Sequence, residues 1–172
     1  MTGSTGAWEL KKVVWKKGGE QYTAPENSSI KVPLEGGPVS WVHGKRIRES
    51  QLFEPFTFES GVPVQVNLVS RIQLVELNFT KKIHRGALYP TVCGKDEELQ
   101  LPVAGSDHFI YLLSGEVKCS DRQNTQAYVL KTHDLLVVTR SQLEKEYLNL
   151  KVWGNSTQSR FLWGVIHLAN HK

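Results

Sequence analysis

Ten short segments rich in β-type residues, each cut off by glycine, proline or small polar residues, constrain this chain more than any other feature. They cover residues 8–15, 29–32, 53–58, 64–68, 72–80, 109–113, 116–120, 127–130, 135–139 and 161–167. Turn-forming residues between them mark the ends of strands. A 3.6-residue period is clear only over residues 141–150, where Leu143, Tyr147 and Leu150 recur at helix-like spacing. So many short strands predict an all-β sandwich, jelly roll or barrel. With 172 residues, 40% of them hydrophobic, the chain can bury a sizeable core. No Ser/Gly-rich linker divides it, so a single unit over residues 1–172 is expected.

Residues 108–139 are the most specific stretch. His108-Phe109-Ile110-Tyr111-Leu112-Leu113 reads as a strand, Ser114-Gly115 as a tight turn, and Glu116-Val117-Lys118-Cys119 as the returning strand. After a polar loop and a short strand, Lys131-Thr132-His133-Asp134 turns the chain into the apolar segment Leu135–Thr139. This order resembles the central run of a cupin barrel, with His133 where the second turn usually carries glycine. The resemblance implies a cupin-like jelly roll (double-stranded β-helix), with residues 81–172 as the C-terminal cupin-type barrel. Residues 53–61, Phe-Glu-Pro-Phe-Thr-Phe-Glu-Ser-Gly, read as a second turn-into-strand element of the same sort. Residues 1–80 are therefore expected to form a reduced N-terminal β layer, making the whole a reduced bicupin.

Chemistry-bearing patterns are sparse. The six histidines, His43, His84, His108, His133, His167 and His171, include no pair two residues apart. Enzymatic cupins place an H-x-H pair on one face of a strand to hold a metal. Cys93 and Cys119 stand alone, and read as reduced thiols. No metal and no cofactor are expected. There is no G-x-S-x-G elbow, Walker loop or G-x-G-x-x-G after a strand, so no catalytic residue is assigned. The net charge of +4 is a mild bias toward anionic ligands. Basic pairs such as Lys11-Lys12, Lys16-Lys17 and Lys81-Lys82 are too dispersed to predict nucleic-acid binding. No apolar run approaches the roughly 20 residues a membrane span needs. The N-terminal residues lack the basic and apolar regions of a secretory signal, so a cytoplasmic protein is expected.

Several segments together resemble the HutD/Ves family of cupin-like proteins. Trp15-Lys16-Lys17-Gly18-Gly19 followed by Thr23 is similar to its W-K-N-G-G-G-x-T signature. Ser29-Ile30, then Gly37-Pro38-Val39-Ser40-Trp41-Val42-His43-Gly44 with Arg46 or Arg48, resembles its S-I-A and G-P-F-S-x-F-P-G-x-x-R stretch. Glu54-Pro55-Phe56-Thr57-Phe58-Glu59-Ser60-Gly61 resembles E-P-F-x-F-x-G, and Val75-Glu76-Leu77-Asn78-Phe79-Thr80-Lys81-Lys82 resembles D-F-N-x-M-x-R-R. Lys17 stands in place of Asn, Glu20 in place of Gly and Glu76 in place of Asp. Between Arg48 and Leu52 the chain lacks on the order of 25 residues that members use for a hairpin.

The resemblance implies a non-enzymatic protein that binds a small carboxylate, with an accessory or regulatory role in histidine utilisation or in stress response. Its ligands would be compounds such as formylglutamate or urocanate. The residues expected to carry this are Trp15 as a pocket wall, Lys16, Lys17 and Arg46 as cations, with Arg48 beside them, and Glu76 and Asn78 as polar groups two apart on one strand face. His108 is the further candidate, on a strand of the second half. Two other readings remain at this stage. One is a metal-independent isomerase or epimerase using His108 or His167 as base. The other is an interaction module whose open sheet edges pair two copies as a homodimer.

Overall fold

The computed structural model describes residues 6–22, 27–43, 45–80, 83–102, 107–120, 127–139 and 149–168. Every regular element among them is a β-strand. The chain divides into two compact units, residues 1–83 and 84–172.

The first unit holds β1 (Trp8–Trp15), β2 (Gly18–Tyr22), β3 (Ser29–Glu35), β4 (Val39–His43), β5 (Arg46–Ser50), β6 (Phe56–Phe58), β7 (Val64–Leu68) and β8 (Ile72–Phe79). One sheet runs β1-β8-β3-β6 and the other β2-β7-β4-β5. This unit, expected as a reduced layer, has as many described strands as the second, and β4 pairs with β5 as a short hairpin from Val39↔Ser50 to His43↔Arg46. Alternation decides which side of each strand is covered. β7 reads buried, exposed, buried, exposed, buried, and Phe56 and Phe58 are buried on either side of exposed Thr57. These inward residues pack with Trp15, Val39, Trp41, Ile72 and Leu74 into one core. Its centre is aromatic: Trp41 stacks on Phe56 at 4.4 Å, and Phe56 lies 5.3 Å from Phe58. Burying each such ring contributes about 1.5–3 kcal/mol.

The second unit holds β9 (Ile83–Gly94), β10 (Glu98–Pro102), β11 (Asp107–Ser114), β12 (Glu116–Ser120), β13 (Ala127–Lys131), β14 (Leu135–Thr139), β15 (Asn149–Gly154) and β16 (Gln158–Leu168). Its sheets run β14-β11-β16-β9 and β10-β15-β12-β13. Counted from its own first strand, this is the strand order of the first unit. The expected turn at Ser114-Gly115 is present, with Gly115 at φ +87°, but the strands it joins do not pair as a hairpin: β11 pairs with β14 and β16, while β12 crosses into the other sheet and pairs with β13 and β15. A Cβ there would come within 2.9 Å of backbone atoms of Gln158 and Ser159, so the turn needs glycine for space as well as for conformation. Cys93 and Cys119 are both free and buried in strands, and burial pushes the Cys119 thiol up to about 12.

The helix-like spacing of residues 141–150 does not correspond to a described helix. Leu143 and Tyr147 lie outside the described residues, and Leu150 belongs to β15, where it pairs with Leu101. Three leucine or tyrosine positions sufficed for a helical period but carried no information about the strand that pairs with β10.

Candidate functional site

In an antiparallel pair, directly opposed residues project from the same face. Applied to the β1-β8-β3-β6 sheet, the register gives its inner face row by row. Trp15 stands opposite Ile72, Val13 opposite Leu74, Lys11 opposite Glu76, and Glu9 opposite Asn78. On the other side of β8, Pro33 faces Leu74, Lys31 faces Glu76 and Ser29 faces Asn78. Beyond β3 come Phe56 opposite Lys31 and Phe58 opposite Ser29. One end of this inner face is thus apolar and the other is a polar strip across three strands.

Lys31 is the centre of that strip and is 0% exposed. Its ammonium pairs with the Glu76 carboxylate and donates to the Ser29 hydroxyl at 3.0 Å. The Nζ atom also lies 5.3 Å from the Phe58 ring centroid and 5.7 Å from that of Trp15, within cation–π range. Burial pulls the Lys31 pKa below its ordinary value, against the opposing effect of Glu76. A buried ion pair is a weak source of stability, because desolvation offsets most of the Coulombic gain. At the solvent end, Lys11 pairs with Glu9 at 2.7 Å, which raises the lysine pKa.

A cavity of about 560 Å³ opens beside this strip, between the neighbouring ends of β5 and β6. Trp41, Phe56, Phe58 and Val64 form its apolar wall, with Arg48, Ser50, Glu54 and Glu59 among its polar lining. Arg48 stands opposite Trp41, so it projects from the inner face of its sheet. It has no ion pair among the described residues. Glu54 is held by its own turn, accepting from the Gln51 amide at 2.9 Å, while Glu49 accepts from the Gln51 side chain at 2.7 Å. Phe58 therefore borders both the cavity and the buried ammonium of Lys31.

The residues singled out in the sequence are only partly brought together. Trp15, Glu76 and Asn78 share the inner face, with Trp15 and Glu76 both beside Lys31. Lys16 and Lys17 are exposed in the link after β1. They follow Trp15, whose partner Ile72 is four residues, roughly 13 Å, from Glu76 along β8. Arg46 is exposed on β5, opposite His43 and two residues beyond Arg48. His108 lies in the other unit. It is 1% exposed, and neither ring nitrogen has a hydrogen-bond partner among the described residues. Burial first, and His167 second, lower its pKa to about 4, with Asp107 opposing.

Lys31, Ser29 and the aromatic wall went unrecognised as site residues. The available signal was Ser29 and Lys31 at alternate positions of β3, a polar pair on the face that must turn inward. Among the described residues, no group of three or more His, Cys, Asp or Glu side chains is placed to hold a metal ion. The donors present are instead suited to a polar organic ligand: a forked guanidinium, an ammonium–carboxylate pair, hydroxyls and aromatic faces.

The sequence matches no protein-family model and no curated protein sequence. Solved structures do match. A conserved protein of unknown function from Pseudomonas aeruginosa PAO1 aligns with a TM-score of 0.80 at 16% identity, covering 99% of this chain and 94% of that one. HutD from Pseudomonas fluorescens SBW25, in a structure described as its formate condition, gives 0.69 at 15% identity, covering 95% and 80%. A formate complex of Lactobacillus farciminis oxalate decarboxylase gives 0.66 at 9% identity, covering 95% and 78%. At these identities the likeness concerns the fold, and it extends over nearly the whole chain. This chain has the cupin fold, in the two-unit form it shares with HutD.

Proposed function

We propose that this protein binds a small carboxylate in the cavity of its first unit, as a binding protein rather than an enzyme. The observation that carries the reading is Arg48 on the inner face, above an aromatic wall and without an ion-pair partner among the described residues. A guanidinium presents a fork of donors that matches a carboxylate. Trp41, Phe56 and Phe58 supply an apolar surface for the ligand's carbon atoms, and Thr57 offers a hydroxyl, while the buried Ser50 hydroxyl is engaged in donating to the Glu54 carbonyl. Glu54 is engaged with its own turn, and Glu49 lies opposite Ser40, on the other face from Trp41, so these acids do not oppose Arg48 directly. The structures of HutD in its formate condition and of an oxalate decarboxylase with formate support the same ligand class. A sensing or accessory role in histidine utilisation follows from the resemblance to HutD.

Calorimetric titration with formate, urocanate and formylglutamate tests this. Losing a charge-assisted hydrogen-bond partner costs about 1.5–3 kcal/mol, so Arg48→Ala should weaken binding by roughly 10- to 100-fold. Lys16→Ala and Lys17→Ala should leave it unchanged. Affinity that survives Arg48→Ala intact would remove Arg48 as the anchor and this cavity as the site.

A further inference from the structure

We infer that Lys31 is a nucleophile, whose amine condenses with an aldehyde or 2-oxo acid entering the cavity to form a covalent imine inside the first unit. This rests on the carboxylate-binding reading only in that the same cavity admits the ligand.

Geometry supplies the first support. The amine is sealed inside the jelly roll, yet one aromatic ring, Phe58, contacts it on one side and lines the cavity on the other. For a ligand in the cavity to reach the amine, that ring must turn aside. The Glu76 carboxylate is already paired with the ammonium, in position to take its proton, and Ser29 holds the nitrogen from β3.

The second support is that packing does not require these groups. In both units a register shift follows the third strand's inward residue: after Pro33 in β3 and after Leu112 in β11. Counted back from that shift, Lys31 corresponds to Ile110, and Glu76 to Trp163, which is opposite Ile110. The second unit closes the same place with an isoleucine and a tryptophan. Since an apolar pair does the structural work there, the first unit's buried ion pair calls for another account. Burial also favours the neutral, nucleophilic form of the amine relative to a surface lysine.

The step balances on residues present. Glu76 accepts a proton from the Lys31 ammonium, and the free nitrogen lone pair adds to the carbonyl carbon. As the carbonyl π bond breaks, its oxygen takes a proton from the nitrogen, giving a carbinolamine. Protonated Glu76 then returns its proton to the hydroxyl, water leaves, and the nitrogen lone pair forms the C=N bond. The products are a protonated imine, which keeps the ion pair with Glu76, and one water.

The test is to incubate the folded full-length protein with glyoxylate, and separately pyruvate, in the presence of sodium cyanoborohydride, which reduces any imine to a stable secondary amine. Peptide mass mapping then locates the adduct. Lys31 should carry the adduct in preference to exposed Lys16 and Lys17. Phe58→Ala, by opening the wall, should raise the Lys31 rate further. Lys31→Arg should abolish that adduct while leaving formate binding measurable. Adducts confined to exposed lysines, with the Lys31 peptide unmodified in both wild type and Phe58→Ala, would overturn the inference. Intact formate binding in that same protein would show that the carboxylate reading stands without it.

Discussion

The two units of this chain share a strand order and differ in what they enclose. Their turns correspond in detail. In the first, the Phe53 amide donates to the Pro33 carbonyl at 2.8 Å, and the Gln51 amide donates to the Glu54 carboxylate. In the second, the His133 amide donates to the Leu112 carbonyl at 2.8 Å, and the Lys131 amide donates to the Asp134 carboxylate. Phe53 and His133 both have positive φ, as do Gly36 and Gly115 in the preceding links, which carry the chain from one sheet to the other. The interiors diverge: Lys31 and Glu76 in one correspond to Ile110 and Trp163 in the other. Trp41 opposite Arg48 corresponds to Cys119 opposite Tyr128. Turn geometry and alternation thus specify the jelly roll, and leave the inward positions open to a polar site or a closed core.

The sharpest way to break that comparison is to make the first interior resemble the second. Lys31→Met alone leaves the Glu76 carboxylate buried without its cation and should cost about 3–5 kcal/mol in urea unfolding. Adding Glu76→Leu removes the orphaned charge and should recover most of that loss, ending near or above wild type. A double variant as unstable as the single would mean that the first unit, unlike the second, needs the ion pair for packing.

A smaller effect is expected from the one buried ionisable group on the inner face of β11. Folding holds the His108 pKa near 4, against an ordinary 6.5, so below 6.5 the unfolded chain binds a proton that the folded chain refuses. Stability is fully present above pH 6.5 and is lost as pH falls toward 4, by up to about 3 kcal/mol. His108→Leu should flatten that slope. At neutral pH it should also stabilise, because two buried ring nitrogens without partners among the described residues are replaced by a methyl-rich side chain. An unchanged pH slope in His108→Leu would assign the slope to other groups.

The same contrast explains what could be read from the sequence. The turns were legible because their residue types are demanded locally: Gly115 by a positive φ and a crowded neighbour, Asp134 and Glu54 by a backbone amide three residues earlier. β5 was not, since Arg-Ile-Arg-Glu-Ser is an exposed edge strand with Ile47 78% exposed, and nothing in its pattern marks a buried face. β9 was also missed. It is an edge strand that tolerates Gly86 and Pro90, residues that break a central strand. On the inner face, Glu76 and Asn78 could be put together from the sequence because they lie two apart on one strand. Lys31 was missed because its partner is 45 residues away, and pairing at that distance is set by register. The Trp15-Lys16-Lys17 motif misled for a related reason: adjacency in sequence put the lysines beside Trp15, while strand direction carried them away from Glu76.

The smallest expected effect bears on the turns, where the units agree. His133 and Phe53 are non-glycine residues at φ +77° and +62°, a conformation that costs L residues roughly 1–2 kcal/mol. His133→Gly relieves that strain, at the expense of a freer unfolded chain and of the 3.4 Å approach between its ring and the Tyr111 hydroxyl. The ring is exposed, so little burial is lost, and a net gain of about 0.5 kcal/mol is expected, a rise of roughly 1–2 °C in melting temperature. Phe53→Gly relieves the same strain but removes a half-buried aromatic ring, so it should lower the melting temperature. Opposite signs at equivalent turns would show that backbone geometry is common to the units while side-chain burial is not. If both variants melted higher, burial of Phe53 would count for nothing in the first unit's turn. If both melted lower, left-handed strain would not be the governing term at either position.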